Sequence, residues 1–320
     1  MEIRNILACI IHKNPQNCHK IPSSTSKDLP LGKGVKPLPS SKFFRICRSF
    51  CTIFTTFHKL SRLAILTLFF SSLSATDFIT GNAFKAVCEH SYDEFGYNYN
   101  PDGLKGYWFV KTDKLDSFFG KNAVNSPFVL LTHNADHGVT FKHKRHIENK
   151  NLIHWFGQNL ETEHPKLSSI PIGLCNFANF DVMEEVMAAN HPKSNLVYAN
   201  YNIWTNFQER NKCKEKTGVP LAKLKPFKDY LEDVSRSYFV ISPNGNGVDC
   251  HRTWEALYLK AIPIVTKSYV TIHYKHFPII ILDSWDDYKD LQLSKELYEE
   301  MWNDFDLTQF TVFDFLNIDT

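Results

Sequence analysis

Arg252 and Glu255 stand three residues apart behind a loop with glycine at 245 and 247. On a helix that spacing puts both side chains on one face. An arginine there can fork onto a diphosphate, and a glutamate one turn further in can accept from the 2′- and 3′-hydroxyls of a ribose. Gly245 and Gly247 allow positive φ or close backbone approach. A following helix would offer its first free N–H groups and partial positive charge to the same space. Read together, the loop is a phosphate cradle. The plainer alternative is a surface Arg–Glu pair after an ordinary glycine turn.

The flanking segments suit this placement. Tyr238 to Ile241 is a short apolar run that reads as a strand ended by Ser242 and Pro243. Trp254, Leu257, Tyr258 and Ala261 supply the apolar faces of the helix, and Ile262 to Val265 reads as the next strand. The run from Phe239 to Val265 resembles the donor-site signature of exostosin-like glycosyltransferases. In that family an arginine and a glutamate three apart precede Ala-Leu and an Ile-Pro-Val strand, here Ala256, Leu257, Ile262, Pro263 and Ile264. The resemblance implies two Rossmann-like domains facing across a cleft (the GT-B arrangement), with the nucleotide-sugar held by the C-terminal one. It implies a donor site made of Ser242, Asn244, Gly245, Gly247, Asp249, His251, Arg252 and Glu255. One departure is Lys260-Ala261, where the family usually has Gly-Cys or Gly-Ser; that glycine normally ends the helix, so the turn is where this chain should differ.

Upstream, α/β alternation is expected: a helix over Phe84 to Tyr92, a strand over Tyr107 to Val110, a helix over Lys114 to Phe119, and strands at Phe128 to Thr132, Asn151 to Phe156 and Leu167 to Ile170. Such alternation predicts a parallel sheet. Ligands of open α/β sheets collect beyond the strand carboxyl ends, which makes Asn134, Gln158 and Asn159 acceptor-side candidates, with Asn202 after the strand at Leu196 to Ala199. Asp136 or His133 could take the proton from an acceptor hydroxyl; the plainer reading is that they brace their loop. The segments around Phe109, Val129, Trp155 and Ile170 also resemble the exostosin-like proteins, so the resemblance spans roughly residues 84 to 285.

Further helices are expected over Glu184 to Ala189, Phe207 to Lys216, Pro226 to Ser237 and Trp285 to Trp302, and a strand over Pro278 to Leu282. The domain boundary falls near 190, giving an N-terminal acceptor domain over 84–190 and a C-terminal donor domain over 191–320. Asp304-Phe305-Asp306 is formally a D-x-D, but it follows a helix near the C-terminus, so capping or a surface role is expected. Lys142-His143-Lys144-Arg145-His146 reads as a solvated surface without metal partners. No metal ligand set and no cofactor are expected.

The 320 residues carry 36 Lys plus Arg against 34 Asp plus Glu, a net charge of +2 that gives no global basic field for nucleic acid. Eight cysteines without paired Cys-x-x-Cys spacing exclude a disulfide scaffold. Residues 1–80 read as a low-order extension: prolines and Ser-Thr runs over 13 to 42, then an apolar region over 43–75 with its cleanest part at 63–75. That part is short for a spanning helix, which needs about 20 apolar residues. It suits either an amphipathic helix on the domain or a membrane surface, or a signal-anchor. Localisation is therefore open between cytoplasmic or membrane-associated and a Golgi or ER type II arrangement. The function expected is transfer of a sugar from a nucleoside-diphosphate sugar to a hydroxyl acceptor, a glycan or glycoprotein, inverting and metal-independent. The alternative is a catalytically degenerate nucleotide- or glycan-binding protein of the same fold.

Overall fold

A computed structural model describes residues 78–121, 124–303 and 305–317. The readings of 43–75 and 63–75, and all but the end of the 1–80 extension, lie outside them. No helix among the described residues is long and apolar enough to cross a membrane.

The first half runs α1 (Gly81–Ala86), β1 (Cys88–Asp93), β2 (Gly96–Tyr99), β3 (Leu104–Lys111), α2 (Leu115–Lys121), β4 (Phe128–His133), α3 (Lys144–Ile147), β5 (Leu152–Gly157), β6 (Leu167–Ser169) and α4 (Phe180–Ala189). The second continues with β7 (Asn195–Ala199), α5 (Phe207–Thr217), α6 (Phe227–Ser235), β8 (Ser237–Ile241), α7 (His251–Tyr258), β9 (Ile262–Thr266), β10 (Ile280–Leu282), α8 (Lys295–Trp302) and α9 (Val312–Phe315). The strands form a six-stranded sheet ordered β2-β1-β3-β4-β5-β6 and a four-stranded sheet ordered β10-β9-β8-β7. All pairings are parallel except β1 with β2.

Period-two alternation sends each strand's side chains to opposite faces. On β8, Val240 joins the main core, which also holds Phe109, Leu130, Trp155, Trp254 and Leu257. Its neighbours Phe239 and Ile241 join Ile262, Ile264 and Trp285 in a second cluster on the other face. Because the main core draws on both sheets, the two lie in one compact unit.

Three expectations are corrected. The helix over Phe84 to Tyr92 stops at Ala86, and Cys88–Asp93 is a strand instead. It is held between β3 and its hairpin partner β2, pairings that outweigh local propensity. The helix over Trp285 to Trp302 is two pieces, a 3₁₀ turn at Trp285–Asp290 and then α8, because Ser284 and Ser294 each cap their own start and Leu291 is extended. The basic run at 142–146 is not all solvated: His146 is buried, stacks on Phe119 at 4.2 Å and bonds Asp116 at 2.7 Å.

The end of α7 answers for the departure at Lys260. The Ala261 N–H donates to the Ala256 carbonyl and the Lys260 N–H to Leu257, a Schellman closure with Lys260 at φ 56°. That left-handed position is the one glycine fills without cost. Lys260→Gly is therefore expected to stabilise the protein by about 0.5–1 kcal/mol, the relief of left-handed strain less glycine's entropy. A thermal melt that falls in the variant would contradict this.

Candidate functional site

The site grows from the end of β8. Ser242 is buried and its hydroxyl meets that of Thr253 at 3.0 Å, which fastens the strand end to the first turn of α7. The loop between turns on itself, the Gly245 N–H donating to the Gly247 carbonyl at 3.0 Å. Neither glycine has positive φ. Their use is close approach: a Cβ on Gly245 would stand 2.9 Å from the Arg210 guanidinium, and one on Gly247 would overlap the Asn159 side-chain amide. The Cys250 N-cap makes no side-chain capping bond to α7.

Two arginines converge beside it. Arg210, on α5, is buried; its Nε donates to the Asn244 carbonyl at 2.9 Å and its Nη1 to the Asn202 carbonyl at 2.7 Å. Arg252 donates from Nε to the Asn200 carbonyl at 2.9 Å, and its Nη1 is buried without a hydrogen-bond partner among the described residues. Both guanidiniums lie against the ring of Tyr201, at 5.8 and 5.6 Å from its centroid. Among the described residues neither forms an ion pair with a carboxylate; the arginines that do are Arg145 and Arg236. Burial first, and then the neighbouring Arg252 charge, push Arg210 below the usual guanidinium range. Two like charges held together with an unmade hydrogen bond form a site short of an anion.

Arg210, Arg252 and Glu255 line one cavity of about 510 Å³, with Tyr201, Tyr230 and Asp136. Glu255 is buried and accepts from the Tyr230 hydroxyl at 2.7 Å, so it is not a surface partner of Arg252. Burial, and then the Glu255 charge, push the Tyr230 phenol well up and keep it a donor. A second cavity of about 330 Å³, lined by His133, Asn134, Gln158 and Phe177, shares Asp136, Ile172 and His251 with the first.

The remaining candidates divide. Asp136 is exposed, lines both cavities and accepts from Asn246 at 3.1 Å. His133 is buried, with Nε2 at 3.0 Å from the Pro171 carbonyl and Nδ1 accepting from the Asn134 N–H at 2.7 Å. Both nitrogens are thus committed, and burial lowers the ring to about 4, so it stays neutral. His133 is a brace and has no lone pair to give a substrate, which corrects its place among the bases. Asp249 is also a brace: its carboxylate accepts from the Ile172 N–H, the Trp254 indole and the Tyr274 hydroxyl, at 2.9 to 3.1 Å. Asn159 holds the Asp249 N–H at 2.8 Å while lining the first cavity. His251 binds the Gly173 carbonyl through Nδ1 at 2.8 Å, and Asn202 caps the turn at Trp204.

Ser242 and Asn244 are absent from both cavity linings; Asn244 contributes the carbonyl that holds Arg210. Asn134 is tied to Asn82 and Asn176. Gln158 donates to the Ala135 carbonyl, and its buried Oε1 has no partner among the described residues. Asp306 caps the turn at Leu307–Gln309, and its partner in the D-x-D lies outside the described residues. Among the described residues no group of three or more acidic, His or Cys side chains is arranged to hold a metal. Sequence reasoning missed Arg210 and Tyr230. Arg210 sits in a helix that is polar all round, where nothing in the spacing sets it apart from its neighbours. Compared with known proteins, the chain is matched by no family model and by no curated protein.

Proposed function

We propose that the first cavity binds the diphosphate of a nucleoside-diphosphate sugar and that the chain is a glycosyltransferase of the GT-B type. The observation that carries this reading is the pair of guanidiniums on Tyr201, Arg210 buried and Arg252 half-buried with its Nη1 unpartnered, neither of which forms an ion pair with a carboxylate among the described residues. A diphosphate supplies the missing charge and the acceptor for Arg252 Nη1. Negative charge grows on that group as the sugar departs, so the same arginines and the α7 start favour the transition state over the bound donor. Glu255, fixed by Tyr230, takes the ribose hydroxyls. The acceptor occupies the second cavity, where Asp136 stands at the junction and takes the proton of the attacking hydroxyl.

The test is release of nucleoside diphosphate from UDP-, GDP- and ADP-sugars by the whole chain in EDTA. Slow donor hydrolysis with one of them is expected, reduced at least about 100-fold in Asp136→Asn, in line with loss of a general base. Tight binding with no turnover under any acceptor would reduce the protein to a nucleotide binder. Undiminished turnover in Asp136→Asn would place the base elsewhere.

A further inference from the structure

A cavity of about 770 Å³ lies at the other end of α7, lined by His191 and Lys193 from the loop after α4, by Leu259 and Lys260, and by Tyr298 and Trp302 of α8. Among the described residues Lys193 Nζ makes one hydrogen bond, donating to the Leu259 carbonyl at 3.1 Å, and it stands 5.7 Å from the Tyr298 ring centroid. Glu184 and Asp306 also line the space, yet no ion pair among the described residues includes Lys193.

His191 is equally defined. Its Nδ1 lies 2.9 Å from the Ser235 Oγ, whose own hydroxyl donates to the Glu232 carbonyl at 2.8 Å. With that proton engaged, Ser235 can only accept, so Nδ1 carries the imidazole hydrogen and Nε2 the free lone pair. An amine without a counter-ion and an imidazole with an available base nitrogen thus line one cavity, two residues apart in the chain. The site proposed for the nucleotide uses neither.

We propose that Lys193 is a nucleophilic amine that condenses with an aromatic aldehyde bearing an anionic substituent, with His191 moving the protons. The Nζ lone pair attacks the carbonyl carbon, and the proton that the nitrogen then sheds passes to the oxygen, giving a neutral carbinolamine. His191 accepts a proton from the nitrogen and returns one to the hydroxyl, which leaves as water as the C=N bond forms. Amine and aldehyde become imine and water, with no change of oxidation state. Tyr298, Trp302 and Leu257 receive the ring, and Lys260, exposed at the rim, pairs with the anion.

Electrostatics agree with the geometry. Burial first, and then the Lys260 charge, lower Lys193 to about 7, so near neutral pH a large fraction is the free amine. Glu184 and Asp306 are the acids that line the same cavity. Tyr298 is held up to about 12 by burial and stays a neutral phenol beside the amine.

The experiment uses the full chain, pyridoxal 5′-phosphate as the probe, borohydride trapping and peptide mapping across a pH series. Lys193 is expected to be trapped at least about tenfold faster than any exposed lysine, since those remain protonated until near pH 10. Its labelling should rise to half-maximum near pH 7. Lys193→Arg should remove the adduct, His191→Gln should slow it, and Lys260→Gly should move the midpoint to higher pH by removing a like charge. Labelling spread evenly over exposed lysines, or a Lys193 midpoint near pH 10, would leave Lys193 only a cation on the last carbonyls of α7. If Lys193→Arg does not fold, the pH profile of the unaltered chain decides alone.

Discussion

Arg252→Met is expected to weaken nucleoside diphosphate binding about 10- to 100-fold while changing nucleoside binding little. One charge-assisted hydrogen bond removed from one side costs about 1.5–3 kcal/mol, and each 1.4 kcal/mol is about tenfold. Methionine fills much of the stem's volume, so the effect reads the guanidinium more than the packing. Arg252 also holds the Asn200 carbonyl, so a loop defect would weaken both ligands; equal losses would make the residue structural. Arg210→Met should be more costly to stability, because two carbonyls, from Asn202 and Asn244, lose their donor. Isothermal titration with each ligand, beside a thermal melt, separates these contributions.

The second large effect is expected at Glu255. Glu255→Gln keeps volume and helix propensity, and an amide oxygen can still accept from Tyr230 at the 2.7 Å position. What is lost is the charge on the acceptor and one acceptor oxygen, whose place is taken by a donor facing the ribose. Donor affinity should fall by about tenfold or more, and the preference for ribo- over 2′-deoxyribonucleotide should shrink. Tyr230→Phe serves as the partner control: it should leave the ribose preference in place while loosening Glu255. An unchanged ribo-to-deoxy ratio in Glu255→Gln would remove the ribose from this residue and reverse the orientation of the donor.

Much of this arrangement was legible because the local pattern and the tertiary outcome agree. β8 and β9 read as strands from apolar runs that are indeed buried on both faces, and Gly218 ends α5 at φ 64° as a left-handed glycine should. The glycines at 245 and 247 were readable as a demand for close approach, though not which neighbour makes it. β1 was not legible: Cys88–Asp93 has no β-branched residue and owes its form to β3 and β2. The split at Leu291 depended on two serine caps inside what reads as a continuous amphipathic run.

Within the site, the sequence pointed to Arg252 and Glu255 through their spacing but left Arg210 invisible, because its meaning comes from a ring on another segment. His133 illustrates the converse. Its residue type suggests a base, and only the Pro171 carbonyl and the Asn134 N–H reveal that both nitrogens are taken.

The central claim is that Arg210 and Arg252 form a diphosphate site, and calorimetry of the unaltered chain in EDTA tests it most directly. UDP, GDP, ADP and CMP are titrated against their nucleosides at two salt concentrations. At least one nucleoside diphosphate should bind about tenfold or more tightly than its nucleoside, and the gap should narrow as salt rises, since the added affinity is charge on charge. Diphosphate and nucleoside binding equally, or neither binding at all, would contradict it.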